Sequence, residues 1–123
     1  MRIIINNSIM VPIYEQITDQ IKTLIRNGEL KQNDNLPSVR ALAKELKISA
    51  LTVKKAYDNL ETEGFTATIH GKGTYILATN KELLLEEQKK ELEMDLEKAI
   101  QKGKRFGISN EDIRNLFELI LEG

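Results

Sequence analysis

The residues of this chain whose types and spacing could do chemistry are cations and small hydroxyl side chains, and the chemistry they offer is recognition. Ser49, Ala50, Thr52, Lys54 and Lys55 fall within seven positions. On a helix, Thr52 can hydrogen-bond a phosphate or a base, and Lys54 and Lys55 can neutralise phosphate. Ala50 can touch a thymine methyl, because a lone helix fits the major groove with its first turn toward the base edges. Arg40, two residues after Ser38, is placed to grip the DNA backbone or a guanine. A second cluster is His70, Gly71 and Lys72. Glycine there lets the main chain approach the sugar-phosphate edge of a minor groove, Lys72 adds charge and His70 adds at most one phosphate contact. Plainer readings stand beside each: solvated surface cations, an ordinary hairpin turn, a strand-end histidine. The alternative for the whole is a winged-helix protein-interaction module that binds no DNA.

Bond-making chemistry has little to work with. There are no cysteines, which excludes disulfides and thiolate ligands or nucleophiles, and a single histidine leaves no histidine pair. Gly71-Lys72-Gly73-Thr74 looks like a fragment of a phosphate loop but lacks the upstream glycine and the following helix. The reading is no enzyme, no metal and no cofactor. The 123 residues, 41% of them hydrophobic, suffice for one ordinary domain with an appendage. No apolar run is long enough to cross a bilayer and no signal peptide opens the chain, so no membrane partner and a cytoplasmic location are expected.

The net charge of −1 hides an asymmetry. Residues 1–79 carry ten basic and eight acidic side chains, whereas residues 80–123 carry eight and eleven. A mildly cationic front end on an acidic tail fits a phosphate-facing domain, residues 1–79, followed by a dimerisation or effector tail, residues 80–123.

The elements that must position these groups follow from periodicity. After an extended lead-in over residues 1–9, Pro12 opens a helix whose stripe is Ile13, Ile17, Ile21, Leu24 and Ile25, stopped by Asn27-Gly28. Lys31 to Leu36 has no period and reads as a loop. Ser38 caps a short helix with Val39, Leu42, Ala43 and Leu46 on one face; Ser49 caps another with Val53, Ala56, Tyr57 and Leu60, closed by Gly64. Two short amphipathic helices joined by a tight turn make a helix-turn-helix, with 49–63 as the recognition helix. Residues 65–69 and 74–77 are rich in β-formers around a glycine-bearing link, which predicts a hairpin, or wing, over 65–77. The fold class expected is mainly α with a small β-hairpin: a winged helix-turn-helix domain followed by a two-helix dimerisation tail.

In that tail a helix from Lys81 to about Lys102 carries a seam at Leu85, Leu92 and Ala99, flanked by Leu84, Leu96 and Ile100. Gly103 and Gly107 are expected to break it. Ser109 caps a last helix, with Asp112 placed for a capping box, and Ile113, Leu116, Phe117, Ile120 and Leu121 form its apolar face. Forty-four residues cannot bury both stripes alone, and pairing with a second copy is the simplest remedy.

Read in order, Pro12-Ile13-Tyr14-Glu15-Gln16-Ile17, Leu36-Pro37-Ser38-Val39-Arg40, Ser49, Thr52-Val53-Lys54-Lys55-Ala56-Tyr57, Glu63-Gly64 and Gly71-Lys72-Gly73-Thr74 resemble the GntR family of bacterial transcription regulators. The short tail is similar to that of the YtrA-like subfamily. The resemblance implies DNA contacts at Arg40, Ser49, Thr52, Lys54 and Gly71, a dimerising tail, and control of the chain's own or a neighbouring transporter operon. The expected partners are double-stranded DNA carrying a pseudo-palindromic operator, and a second copy of the chain. A small-molecule effector of unidentified class is a further expected partner. The tail is too short for an enclosed pocket of about 300 Å³, so such a ligand would sit at a subunit seam or between domains. Two positions depart from the family's pattern. Asn33 stands where glycine is usual, using asparagine's tolerance of left-handed φ. Ala50 replaces a larger reader, which implies an A·T-leaning half-site.

Overall fold

Each of the three N-terminal helices in the computed structural model, which describes residues 1–123, is an amphipathic segment with its start and stop written nearby. They are α1 (Ile13–Arg26), α2 (Val39–Leu46) and α3 (Ala50–Thr62). Pro12 precedes α1, and Gly28 takes φ +80° just past its end. Ser38 Oγ accepts the Ala41 N–H at 3.1 Å and Ser49 Oγ accepts the Thr52 N–H at 3.2 Å, so both serines satisfy an otherwise orphaned first-turn donor. Between α2 and α3 the chain reverses at Lys47, whose φ of +57° is left-handed. A lysine there costs about 1 kcal/mol, which packing of the two helices offsets.

The core of this unit is Ile17, Ile21 and Ile25 of α1, Leu42 and Ala43 of α2, and Val53, Ala56, Tyr57 and Leu60 of α3, all buried. These are the stripes that periodicity predicts. The wing comprises β1 (Thr66–Ile69) and β2 (Gly73–Ile76), antiparallel, with Thr66 opposite Ile76 and Ile69 opposite Gly73. Gly71 and Gly73 turn the corner at φ +81° and +95°, while the Lys72 N–H donates to the Ile69 carbonyl at 2.9 Å.

Four features depart from expectation. First, the stretch expected to be a plain loop lies along β2 and joins it through a single bridge, Asn35 opposite Tyr75. The Asn33 N–H donates to the Ile76 carbonyl, the Ile76 N–H to the Asp34 carbonyl and the Leu36 N–H to the Thr74 carbonyl, all at 2.8–2.9 Å. Asn33 enters this run at φ +71°, in the left-handed region expected of it. Second, the lead-in is docked to α1. Gln16 bonds the Asn6 N–H and the Asn6 and Val11 carbonyls, and Gln20 brackets both main-chain groups of Ile4, which seats Ile3 in the core. Third, Leu84 belongs to this first core, where it is buried.

The fourth departure lies in the tail. Helix α4 (Lys81–Arg105) runs through Gly103 without a break and ends before Gly107, which takes φ +78°. Gly103 serves packing instead: a Cβ there would come within 3.1 Å of Ile113 Cδ1. Helix α5 (Asn110–Glu122) starts from Ser109, whose Oγ accepts the Asp112 N–H at 3.1 Å, one half of the capping box. The two compact units of the chain are Met1–Leu84 and Leu85–Gly123. No residue of the second is buried.

One buried group has no partner. Thr66 is 1% exposed and its hydroxyl makes no hydrogen bond. An unpaired hydroxyl in a core costs free energy that an isosteric methyl does not. Thr66→Val is expected to stabilise the protein by about 1 kcal/mol, seen as a higher urea midpoint at unchanged m-value.

Candidate nucleic-acid interface

Helix α3 turns Val53, Ala56, Tyr57 and Leu60 inward and leaves Ala50, Leu51, Lys54, Lys55, Asp58 and Glu61 exposed. Its first turn is therefore uncovered. Ser49 accepts a cap bond and keeps its hydroxyl proton available as a donor, while Thr52, half-buried, offers its hydroxyl beside it. Arg40 lies exposed in the first turn of α2 with no acid paired to it. Tyr57 locks the entry to that helix: its hydroxyl donates to the Pro37 carbonyl at 2.7 Å. Burial, with the nearby Glu45 charge, pushes the Tyr57 hydroxyl well above its ordinary pKa, so it remains a donor at any physiological pH.

The two lysines of α3 are each engaged. Lys54 Nζ sits 2.8 Å from Asp58 Oδ2, and that hydrogen bond and charge raise its pKa. Lys55 Nζ lies 4.0 Å from the centre of the Tyr14 ring on α1, a cation–π contact that ties α3 to α1. Charge therefore changes sign along the exposed face. It is neutral at Ala50 and Leu51, positive at Lys54 and Lys55, and negative at Asp58 and Glu61. Seven residues of rise separate Leu51 from Asp58, about 10 Å, so only the first two turns suit an anionic partner.

His70, Gly71 and Lys72 are exposed at the wing turn. The structure thus gathers Ser49, Ala50, Thr52, Lys54 and Lys55 on one helix end, places Arg40 on the helix packed against it, and holds the wing residues apart on the hairpin. Three neighbours complete this face, and one of them, Tyr14, escapes a reading by motif. Tyr14 reaches Lys55 only through tertiary packing. Asp58 was visible as the acid four residues after Lys54. Leu51 is an apolar side chain on a face otherwise polar or small.

In the second unit, Leu85, Leu92 and Leu96 are exposed along α4, and Leu116 and Ile120 along α5. Ala99, Ile113, Leu116, Phe117 and Ile120 line one apolar cleft of about 260 Å³ together with Gly103 and Phe106. Eight predicted positions thus lie on surfaces this unit leaves uncovered or half-covered.

Comparison with known proteins agrees with this geometry. The family described as "Bacterial regulatory proteins, gntR family" matches residues 13–76, from the start of α1 to the end of β2. The HTH-type transcriptional repressor YtrA of Bacillus subtilis (strain 168) is 45% identical over 91 residues, covering 68% of this chain and 70% of that protein. Among solved structures, one described as a transcriptional antiterminator from Listeria monocytogenes EGD-e superposes with a TM-score of 0.70 at 30% identity, over 98% of this chain and 90% of that one. YtrA from Sulfolobus acidocaldarius, a GntR-family transcription factor, gives a TM-score of 0.62 at 36% identity, over 80% of this chain and 97% of that one. No helix of the chain is long and apolar enough to cross a membrane. With a helix-turn-helix whose second helix is uncovered, a wing and a family match spanning both, this chain belongs to the gntR family of bacterial regulatory proteins, as a YtrA-like, DNA-binding regulator of transcription and not an enzyme.

Proposed function

We propose that the chain acts as a homodimeric repressor on a pseudo-palindromic operator in the cytoplasm. Residues 1–79 bind DNA, and residues 80–123 carry the two-fold. The observation that carries the reading is the uncovered first turn of α3, with hydroxyls at Ser49 and Thr52 and cations one turn behind. In this reading α3 enters the major groove with Ala50 toward the bases, Arg40, Lys54, Lys55 and Lys72 meet phosphates, and His70 and Gly71 follow the minor groove. The tail supports the dimer because its apolar seam has no cover of its own: Leu92, Leu116 and Ile120 are each at least half exposed. Repression follows the name of the Bacillus relative, and an effector would act by shifting the spacing of the two recognition helices.

The test is a footprint of the full chain on its own promoter and on neighbouring operons, with sedimentation to fix stoichiometry. Four phosphate contacts per subunit predict that log affinity falls with log salt at a slope of about −7 for a dimer. A protected site showing two half-sites and a steep slope is the expected result. Monomeric protein without salt-dependent DNA affinity would point instead to a protein-interaction module.

A further inference from the structure

Leu51 is 78% exposed, the one large apolar residue that α1, α2 and α3 together leave in solvent. It occupies the first turn of α3, two residues past the Ser49 cap. Its preceding neighbour Ala50 is too small to screen it. Lys54, one turn on, extends toward the C-terminal end of the helix to reach Asp58, and Lys55 is drawn to Tyr14. In the chain without DNA the long side chains around Leu51 thus lean away from it, and an isobutyl group projects from the part of the helix that meets base edges in the mode proposed above.

Such a group has one apolar target in a major groove. Every base edge there presents donors or acceptors, and only thymine adds a methyl, at C5. Against guanine, cytosine or adenine, Leu51 would cover polar atoms without pairing them, which costs affinity. Against thymine it buries methyl on methyl. We infer that Leu51 reads the 5-methyl group of one thymine in each half-site and is a specificity-determining residue of this regulator. The inference rests on the DNA-binding mode proposed above and goes beyond it, since it assigns one base position to one side chain.

The test begins by selecting binding sites for the full-length protein from a random duplex pool. Each thymine of the recovered site is then replaced in turn by uracil, which removes only the methyl. Wild type and Leu51→Ala are compared on every duplex; the exposed position makes folding of the variant straightforward to verify by circular dichroism. One buried methyl corresponds to about fourfold in affinity, so substitution in both half-sites predicts about fifteenfold weaker binding by wild type. Leu51→Ala is expected to bind the thymine site more weakly and to be indifferent to that uracil. A site with no uracil-sensitive thymine, or equal sensitivity in Leu51→Ala, overturns the assignment and leaves the DNA-binding reading in place. A pool that yields no enriched sequence overturns both.

Discussion

Replacing Leu116 and Ile120 together by glutamate is expected to give a monomer that has lost most of its operator affinity. Both side chains lie on an apolar face that its own unit leaves open, and Ile120 is 74% exposed. Placing charges there costs the isolated chain little. In a dimer four carboxylates would be buried in one desolvated seam, since a two-fold contact uses the same patch on both subunits. Once the subunits part, the second half-site is no longer presented at high effective concentration, and overall affinity falls by about 10²–10⁴. Sedimentation and a binding titration on one two-half-site duplex check both parts. A variant that remains dimeric would move the interface off α5, toward Leu85, Leu92 and Leu96 on α4.

The second large effect is expected at the DNA face. Arg40→Ala should weaken binding about 10- to 100-fold for the dimer, because each subunit loses one charge-assisted contact. Its salt slope should become shallower by about 2 if the partner is phosphate. An unchanged slope with altered sequence preference would indicate a guanine contact. Thr52→Ala should also impair binding, by a smaller factor, without changing the slope, since a hydroxyl releases no counterion. Both variants should stay dimeric, because neither position belongs to the tail. If both bind as wild type does, α3 is not the recognition helix.

The parts of this architecture legible from sequence are those whose signal is local. Ser38 and Ser49 stand directly before apolar stripes, so the caps and the stripes announce α2 and α3 together. The glycines of the wing announce its turn for the same reason. What escaped depends on partners distant in the chain. Residues Asn33 to Leu36 show no alternation, since only their main chain pairs with β2. Gln16 and Gln20 pass for polar surface residues of α1 until the segment they hold lies against them. Gly103 reads as a stop in the sequence, and only the position of Ile113 shows that it serves close approach instead. At the candidate interface, residue types and spacing pointed to the first turn of α3. The Tyr14–Lys55 contact needed the packing of α1 against α3 to become visible.

A tail that shelters nothing by itself bears on gene dosage. If two chains must join before a pair of half-sites can be held, then at low abundance promoter occupancy climbs with the square of the number of copies per cell. Scarce protein would leave the promoter almost untouched, and a modest rise in synthesis would shut it sharply. A regulator built this way acquires a threshold from mass action alone, before any inducer is considered.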